Sequence, residues 1–169
     1  EAFLYTMMAK ELGFQSMMIN RHPLTPKILQ ILDDLDLRFV DYSKEPDAPF
    51  SGGIDLLIDT SGDPTTIFNF LRKVNYNGVV ILFGTNGKAP AGSFTGVDVD
   101  YIVERNITIA GSVDAAKKHY LQAIEYLTKW HCSYGDKLEK VITAKFSPED
   151  TSLFTTKQKD ELKSVIEWK

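Results

Sequence analysis

Short apolar runs, each too brief for a helix, recur along the chain and close on small or polar residues. Residues 54–59 lead into Thr60-Ser61-Gly62, residues 79–83 into Gly84-Thr85, and residues 107–110 into Gly111-Ser112. Between the first two, Ile67, Phe68, Leu71 and Val74 fall on a helical stripe, and Asn77-Gly78 marks the turn into the second. The alternation starts earlier. Residues 1–12 carry Phe3, Leu4, Met7, Met8 and Leu12 at helical spacing, with Gly13 as the stop, and residues 16–20 read as a buried strand. Pro23 and Pro26 then open a helix bearing Ile28, Leu29, Ile31, Leu32 and Leu35, and residues 37–42 form another strand. Residues 43–53 and 84–96 are loops, 98–105 a short helix, and 114–129 a helix with Tyr120, Ala123, Ile124 and Leu127 on one face. Strands and helices alternating at these lengths imply a doubly wound, mostly parallel α/β sheet, since right-handed crossovers place the helices on its faces. Residues 141–169 break the pattern. They read as a strand at 141–146, a helical segment near 147–154 and a strand at 162–168, a tail appended to the main sheet.

At 169 residues and 43% hydrophobic, the chain can bury one core with a small appendage. A net charge of -4 with scattered basic residues argues against a nucleic-acid partner, which needs a dense basic face. The single cysteine, Cys132, excludes an internal disulfide, so a reducing, cytoplasmic setting is expected. No apolar run approaches the roughly 20 residues that span a bilayer, and neither insertion nor an export leader is expected. The opening helix lacks an N-cap residue, so the chain is expected to begin in mid-domain.

In doubly wound sheets ligands lie outside the carboxyl ends of the strands, which directs attention to four exits. Asn20-Arg21-His22 stands where a dinucleotide fold reads the adenosine ribose, on the order of 20 residues after a glycine-rich turn that here would precede Glu1. An acid at this place favours NAD; the forked donors of Arg21, with Asn20 and a chargeable His22, suit the 2'-phosphate of NADP. A solvated turn would carry the same residues. Thr60-Ser61-Gly62 lets the backbone approach an adenosine or ribose, though a plain turn reads alike. At Phe83-Gly84-Thr85, Gly84 removes a side chain that would block a flat nicotinamide ring. Ser112, Val113 and Asp114 follow Gly111 with amides able to meet the carboxamide, unless Ser112 or Asp114 serves as an N-cap.

Catalytic constellations are not in evidence. His22, His119 and Cys132 lack metal-ligand spacing, and no glycine-flanked serine nucleophile occurs. His119, beside Lys117 and Lys118, reads as solvated, and Cys132 as an incidental residue in a turn. No catalytic or metal-binding residue is expected in this segment.

The four exits, in their order and spacing, together with His119-Tyr120-Leu121-Gln122-Ala123 and the closing run of residues 161–168, resemble the coenzyme domain of archaeal-type glucose 1-dehydrogenase. That family belongs to the zinc-dependent medium-chain alcohol dehydrogenases. The resemblance implies a Rossmann-like domain over residues 1–140, incomplete at its N-terminus, and a tail at 141–169 that returns to the catalytic domain. It implies oxidation of an aldose at C1 to the lactone, with hydride passing to NADP or NAD, and a homodimer or homotetramer paired along the edge strand at 107–110. By position, Asn20, Arg21 and His22 match the 2'-phosphate group, Phe83, Gly84 and Thr85 a nucleotide-contact segment, and Ser112, Val113 and Asp114 another, whose last residue also approaches the sugar. Lys157 matches a tail lysine at the nucleotide phosphate. His22 replaces a more usual arginine, and Asp114 stands where asparagine is common. The zinc ligands and the glycine-rich loop belong to a preceding segment, so this chain alone is expected to be inactive. The alternative readings are a zinc-independent, quinone-reductase-like relative and a noncatalytic nucleotide-binding or assembly module.

Overall fold

The computed structural model describes residues 2–20, 22–44, 50, 52–85, 95–155 and 160–168, without the side chain of residue 153. Arg21 and Lys157 lie outside the described residues, as does part of each long loop. The chain divides into two compact units, Glu1–Tyr5 with Pro46–Ala115 and Thr6–Glu45 with Ala116–Lys169.

In the first unit β3 (Ile54–Asp59), α3 (Pro64–Leu71), β4 (Val74–Leu82), α4 (Gly96–Glu104) and β5 (Thr108–Gly111) alternate. The strands form one sheet in the order β3-β4-β5, all parallel, as two successive crossover units require. The core of this unit is Leu71, Val74, Val80 and Ile107, with Ile54, Leu57, Phe68, Tyr101 and Ile109 packed around it. Val74 and Val80 of β4 are buried in this cluster, whereas Leu56 of β3 and Tyr76 of β4 remain exposed.

Asn77-Gly78 departs from expectation. β4 begins at Val74, and the pair lies inside it. Ile54 faces Val74 whereas Leu56 faces Val79, so the ladder advances two residues on β3 and five on β4. Asn77 takes up the bulge with φ 59, a left-handed conformation that asparagine tolerates, and its amide donates to the Arg105 carbonyl. The turn chemistry is present, but pairing on both sides of it makes it a bulge.

Helix α4 starts with a reciprocal cap: the Thr95 hydroxyl accepts from the Asp98 amide, and the Asp98 carboxylate accepts from the Thr95 amide and hydroxyl. Arg72 closes the cluster by pairing with Asp98, while the Tyr101 hydroxyl donates to the Arg72 and Val74 carbonyls. The Thr95 hydroxyl and amide, and then Arg72, hold the Asp98 carboxyl down at about 2 against its ordinary 3.8. A depressed carboxylate stabilises the fold above its unfolded value, and that contribution disappears as pH falls from about 4 toward 2. Asp98→Asn is therefore expected to lower the urea midpoint at neutral pH and to flatten its decline between pH 4 and 2. Parallel pH profiles for the variant and the parent would show that Asp98 carries no such linkage.

In the second unit β1 (Met18–Asn20) and β2 (Phe39–Asp41) pair in parallel across α2 (Pro26–Asp34). Both strands are shorter than the runs suggested. Ile28, Ile31, Leu32 and Leu35 of the predicted stripe are buried, whereas Leu29 is 41% exposed and lies outside the packed face. Helix α1 (Ala2–Glu11) spans the division between the units, and Gly13, at φ 83, turns the chain just beyond its end. Helix α5 covers Lys117–Tyr134 instead of 114–129, so Cys132 is an exposed residue of its last turn and not of a loop. Gly135, at φ 54, separates it from α6 (Asp136–Glu139). Lys129 pairs with Glu11, Lys140 with Asp34 at 2.6 Å and Lys10 with Asp36 at 2.5 Å.

The tail does not extend the three-stranded sheet. β6 (Ile142–Phe146) and β7 (Lys163–Ile166) pair with each other in a separate parallel ribbon, and the helical segment expected near 147–154 is a short 3-10 helix at Thr151–Phe154 between them. No described helix is long and apolar enough to cross a membrane.

Candidate functional site

The ladder aligns three of the four strand exits. Asp59 on β3 is opposite Leu82 on β4, and Leu82 is opposite Gly111 on β5. The residues that follow, Thr60, Phe83 and Ser112, therefore leave the sheet side by side at its carboxyl end, with strands spaced about 4.8 Å apart. The fourth exit, in the other unit, ends on Asn20, an exposed residue whose carbonyl accepts from the Tyr42 amide; His22 is also exposed.

At the first exit the sequence Asp-Thr-Ser-Gly-Asp-Pro folds onto its own acids. Asp59 is 7% exposed; its Oδ1 accepts from the Ser61 amide at 3.1 Å and hydroxyl at 2.6 Å, and its Oδ2 from the Gly62 amide at 2.9 Å. The Ser61 hydroxyl accepts in turn from the Asp63 amide, and Asp63 caps α3 ahead of Pro64 by accepting from the Thr65 amide and the Thr66 hydroxyl. Ser61 and Gly62 thus have internal partners for the donors that sequence reasoning offered to a ligand. Thr60 is half-buried, and its hydroxyl has no hydrogen-bond partner among the described residues.

Sequence reasoning passed over Asp59 as the end of a strand. The signal was present in Asp-x-Ser-Gly, because an aspartate two or three residues ahead of small residues folds the backbone amides onto its own carboxylate.

At the second exit the Phe83 and Gly84 amides both donate to the Asp59 carbonyl, at 2.9 and 3.0 Å. The half-buried Phe83 ring meets Tyr5 edge-on at 5.5 Å. A Cβ on Gly84 would lie 2.5 Å from the Thr60 carbonyl carbon and 2.6 Å from the Ser61 nitrogen, and nearer still to the Gly62 nitrogen. Gly84 is thus required by the close approach of the backbone at residues 60–62, whether or not a ring also passes it. Thr85 is exposed.

At the third exit the Ser112 amide donates to the Leu82 carbonyl at 2.9 Å, and Gly111 faces open space. Val113 is 81% exposed. Asp114 takes φ 57 and is exposed, and its carboxylate has no partner among the described residues. Neither Ser112 nor Asp114 caps α5. The N-cap is Ala116, whose amide donates to His119 Nδ1 at 2.9 Å, which gives this exposed histidine a structural task.

A cavity of 310 Å³ lies elsewhere, lined by Lys10, Phe14, Ser16, Asp36, Leu37 and Arg38 among others. Ser16 and Leu37 precede β1 and β2, so it sits at the amino ends of those strands, opposite to where parallel sheets bind ligands. Among the described residues no group of three or more His, Cys, Asp or Glu is arranged to hold a metal ion.

Comparison with known proteins agrees with this architecture. The family model described as the glucose dehydrogenase C-terminus matches residues 2–168. The chain is 54% identical over 168 residues to a glucose 1-dehydrogenase of Thermoplasma acidophilum, covering 99% of this chain and 45% of that protein. It is 32% identical to a glucose 1-dehydrogenase of Metallosphaera sedula, covering 98% and 45% respectively. The chain thus spans about 45% of the length of these relatives. A solved structure of Haloferax mediterranei glucose dehydrogenase in complex with NADP, Zn and gluconolactone superposes with a TM-score of 0.80 at 22% identity, over 98% of this chain and 47% of that one. At that identity the likeness establishes the fold, a Rossmann-type parallel α/β sheet. With a match over nearly its whole length, the chain belongs to the glucose dehydrogenase C-terminal family.

Proposed function

We propose that this chain supplies the nucleotide-binding part of an enzyme that oxidises a glucose-like aldose at C1 to the lactone, passing hydride to NADP or NAD. The observation that carries the reading is the alignment of Asp59, Leu82 and Gly111, which sets three small-residue exits in a row at one end of a parallel sheet. Such a row fits an extended, flat-ringed dinucleotide. Residues 60–62 line the adenosine or ribose, Phe83, Gly84 and Thr85 lie beneath the nicotinamide ring, and the amides at Ser112, Val113 and Asp114 meet its carboxamide. The names of the relatives support the sugar. NADP or NAD, when bound, would supply the acceptor for the hydride leaving C1, while the anomeric hydroxyl proton would pass to solvent as the C=O bond of the lactone forms.

The side chain of Asp114 only accepts hydrogen bonds when ionised, so it holds a sugar hydroxyl as donor. Its left-handed backbone explains the residue type, because aspartate and asparagine are the non-glycine residues that tolerate it best. Asn20, Arg21 and His22 are assigned to the 2'-phosphate of NADP, and Lys157 to the nucleotide phosphate. Residues 1–140 form the coenzyme domain, and 141–169 return to the catalytic domain. Zinc finds no ligand set among the described residues. A cytoplasmic setting accords with the single cysteine. β5 is an outer strand of its sheet and offers an edge for a second copy in a homodimer or homotetramer.

A polypeptide of the relatives' length carrying this chain, supplied with zinc, is expected to reduce NADP when given glucose or galactose, and to exceed monomer mass in light scattering. Absence of aldose oxidation with either coenzyme would remove the sugar reading, and a monomer would remove the edge pairing.

A further inference from the structure

We propose that Asp59 is a positioning residue for the bound dinucleotide, acting through the Thr60-Ser61-Gly62 turn. The inference rests on the coenzyme reading above. Three polar or charged residues are buried among those described, Thr6, Asp59 and Asp98, and Asp98 owes its place to a cap and to Arg72. Asp59 has no cation partner among the described residues. A carboxylate buried without one is costly, so the site must need something that an uncharged residue does not supply.

What it needs is two acceptor oxygens at once. Oδ1 takes the Ser61 amide and hydroxyl, while Oδ2 takes the Gly62 amide. Asparagine would present an NH2 group to one of these donors and leave it facing another donor. The main chain of the same residue does further work, since its carbonyl accepts from both the Phe83 and Gly84 amides. Asp59 therefore shapes one strand exit with its side chain and fastens the neighbouring exit with its backbone.

This arrangement determines what the turn can offer to a ligand. The amides of Ser61, Gly62, Phe83 and Gly84 are engaged within the protein, as is the Ser61 hydroxyl. Of the Thr60-Ser61-Gly62 set, the Thr60 hydroxyl alone is without a protein partner among the described residues. Thr60 is the direct contact, and Asp59 holds it in place before the dinucleotide arrives. Such preorganisation strengthens binding by removing the ordering that a loose turn would undergo in the complex. It leaves the hydride step unchanged.

The test is a titration of the full-length protein with NADPH, followed by nicotinamide fluorescence, in the parent, Asp59→Asn and Ser61→Ala. Losing a charge-assisted bond is expected to raise the NADPH Kd about tenfold in Asp59→Asn. The coenzyme KM should rise in step, with kcat at saturation within about twofold of the parent. Ser61→Ala removes the hydroxyl but keeps both amide bonds, and a rise of roughly threefold is expected. A residue that merely supports the fold would lower the melting temperature and leave Kd unchanged for the folded protein. Parental Kd in Asp59→Asn overturns the proposal; where that variant does not fold, parental Kd in Ser61→Ala overturns it. A parent that binds NADPH yet oxidises no aldose defeats the sugar reading alone, and one that oxidises aldoses while Asp59→Asn binds normally defeats this inference alone.

Discussion

Replacing Arg21 with alanine is expected to weaken NADP binding on the order of 10- to 100-fold while changing NAD binding by no more than about threefold, because hydrogen bonds to charged groups contribute roughly 1.5–3 kcal/mol. Arg21 directly follows Asn20, the last residue of β1, where a dinucleotide fold meets the adenosine ribose. A carboxylate there would bind both ribose hydroxyls and repel a phosphate. This chain has an amide, a guanidinium and an imidazole instead. The guanidinium matters most, since its planar fork can hold two phosphate oxygens at once whereas Asn20 supplies an uncharged donor. The two coenzymes differ at this phosphate, so the ratio of their dissociation constants isolates the contact. Direct titration of the full-length variant with each coenzyme reads it. Equal loss for NADP and NAD would return Arg21 to the role of a solvated turn residue.

Where sequence and structure agree, the agreement follows from periodicity. Residues 54–59 were legible as a strand to the residue because an aliphatic run between two loops has few alternatives, and β3 spans Ile54–Asp59. The spacing of Ile28, Leu29, Ile31, Leu32 and Leu35 announced α2 in the same way, with Leu29 alone of the five left exposed. Other features depend on partners remote in sequence. Asn77-Gly78 has the chemistry of a turn, and only pairing of Val74 with Ile54 on β3 makes it a bulge. Tyr120, Ile124 and Leu127 keep a regular helical stripe, yet are 63%, 60% and 46% exposed. Periodicity signals a face suited to burial and says nothing of what covers it. The site divides along the same line. The exits were legible as strand ends, but the lateral alignment of Asp59, Leu82 and Gly111 is a property of register, which no single segment carries. The hydrogen bonds that engage Ser61 and Gly62 arise from a side chain that sequence reasoning counted only as the end of β3.

Gly84 offers the sharpest separation between two explanations of one residue. A glycine kept to leave room for a flat ring matters only when the ring is present, and alanine there would leave the coenzyme-free protein as stable as before. A glycine kept because two stretches of backbone touch matters at all times. The added Cβ would sit 2.5–2.6 Å from the Thr60 carbonyl carbon and the Ser61 nitrogen, main-chain atoms that no rotamer change can move aside. Those atoms are themselves tied down, because Asp59 anchors the Ser61 and Gly62 amides and its carbonyl holds Gly84 itself. Relief must therefore come from separating the tips of β3 and β4, at the expense of the Phe83 and Gly84 bonds to Asp59. Gly84→Ala is expected to lower the unfolding free energy of the coenzyme-free protein by about 1–3 kcal/mol, the range for overpacking a tightly fitted site. Urea denaturation in the absence of nucleotide measures it. Unchanged stability together with weakened NADPH binding would assign Gly84 to the ring alone, whereas loss of both shows that the joint between the strand tips and the floor of the coenzyme site are the same backbone.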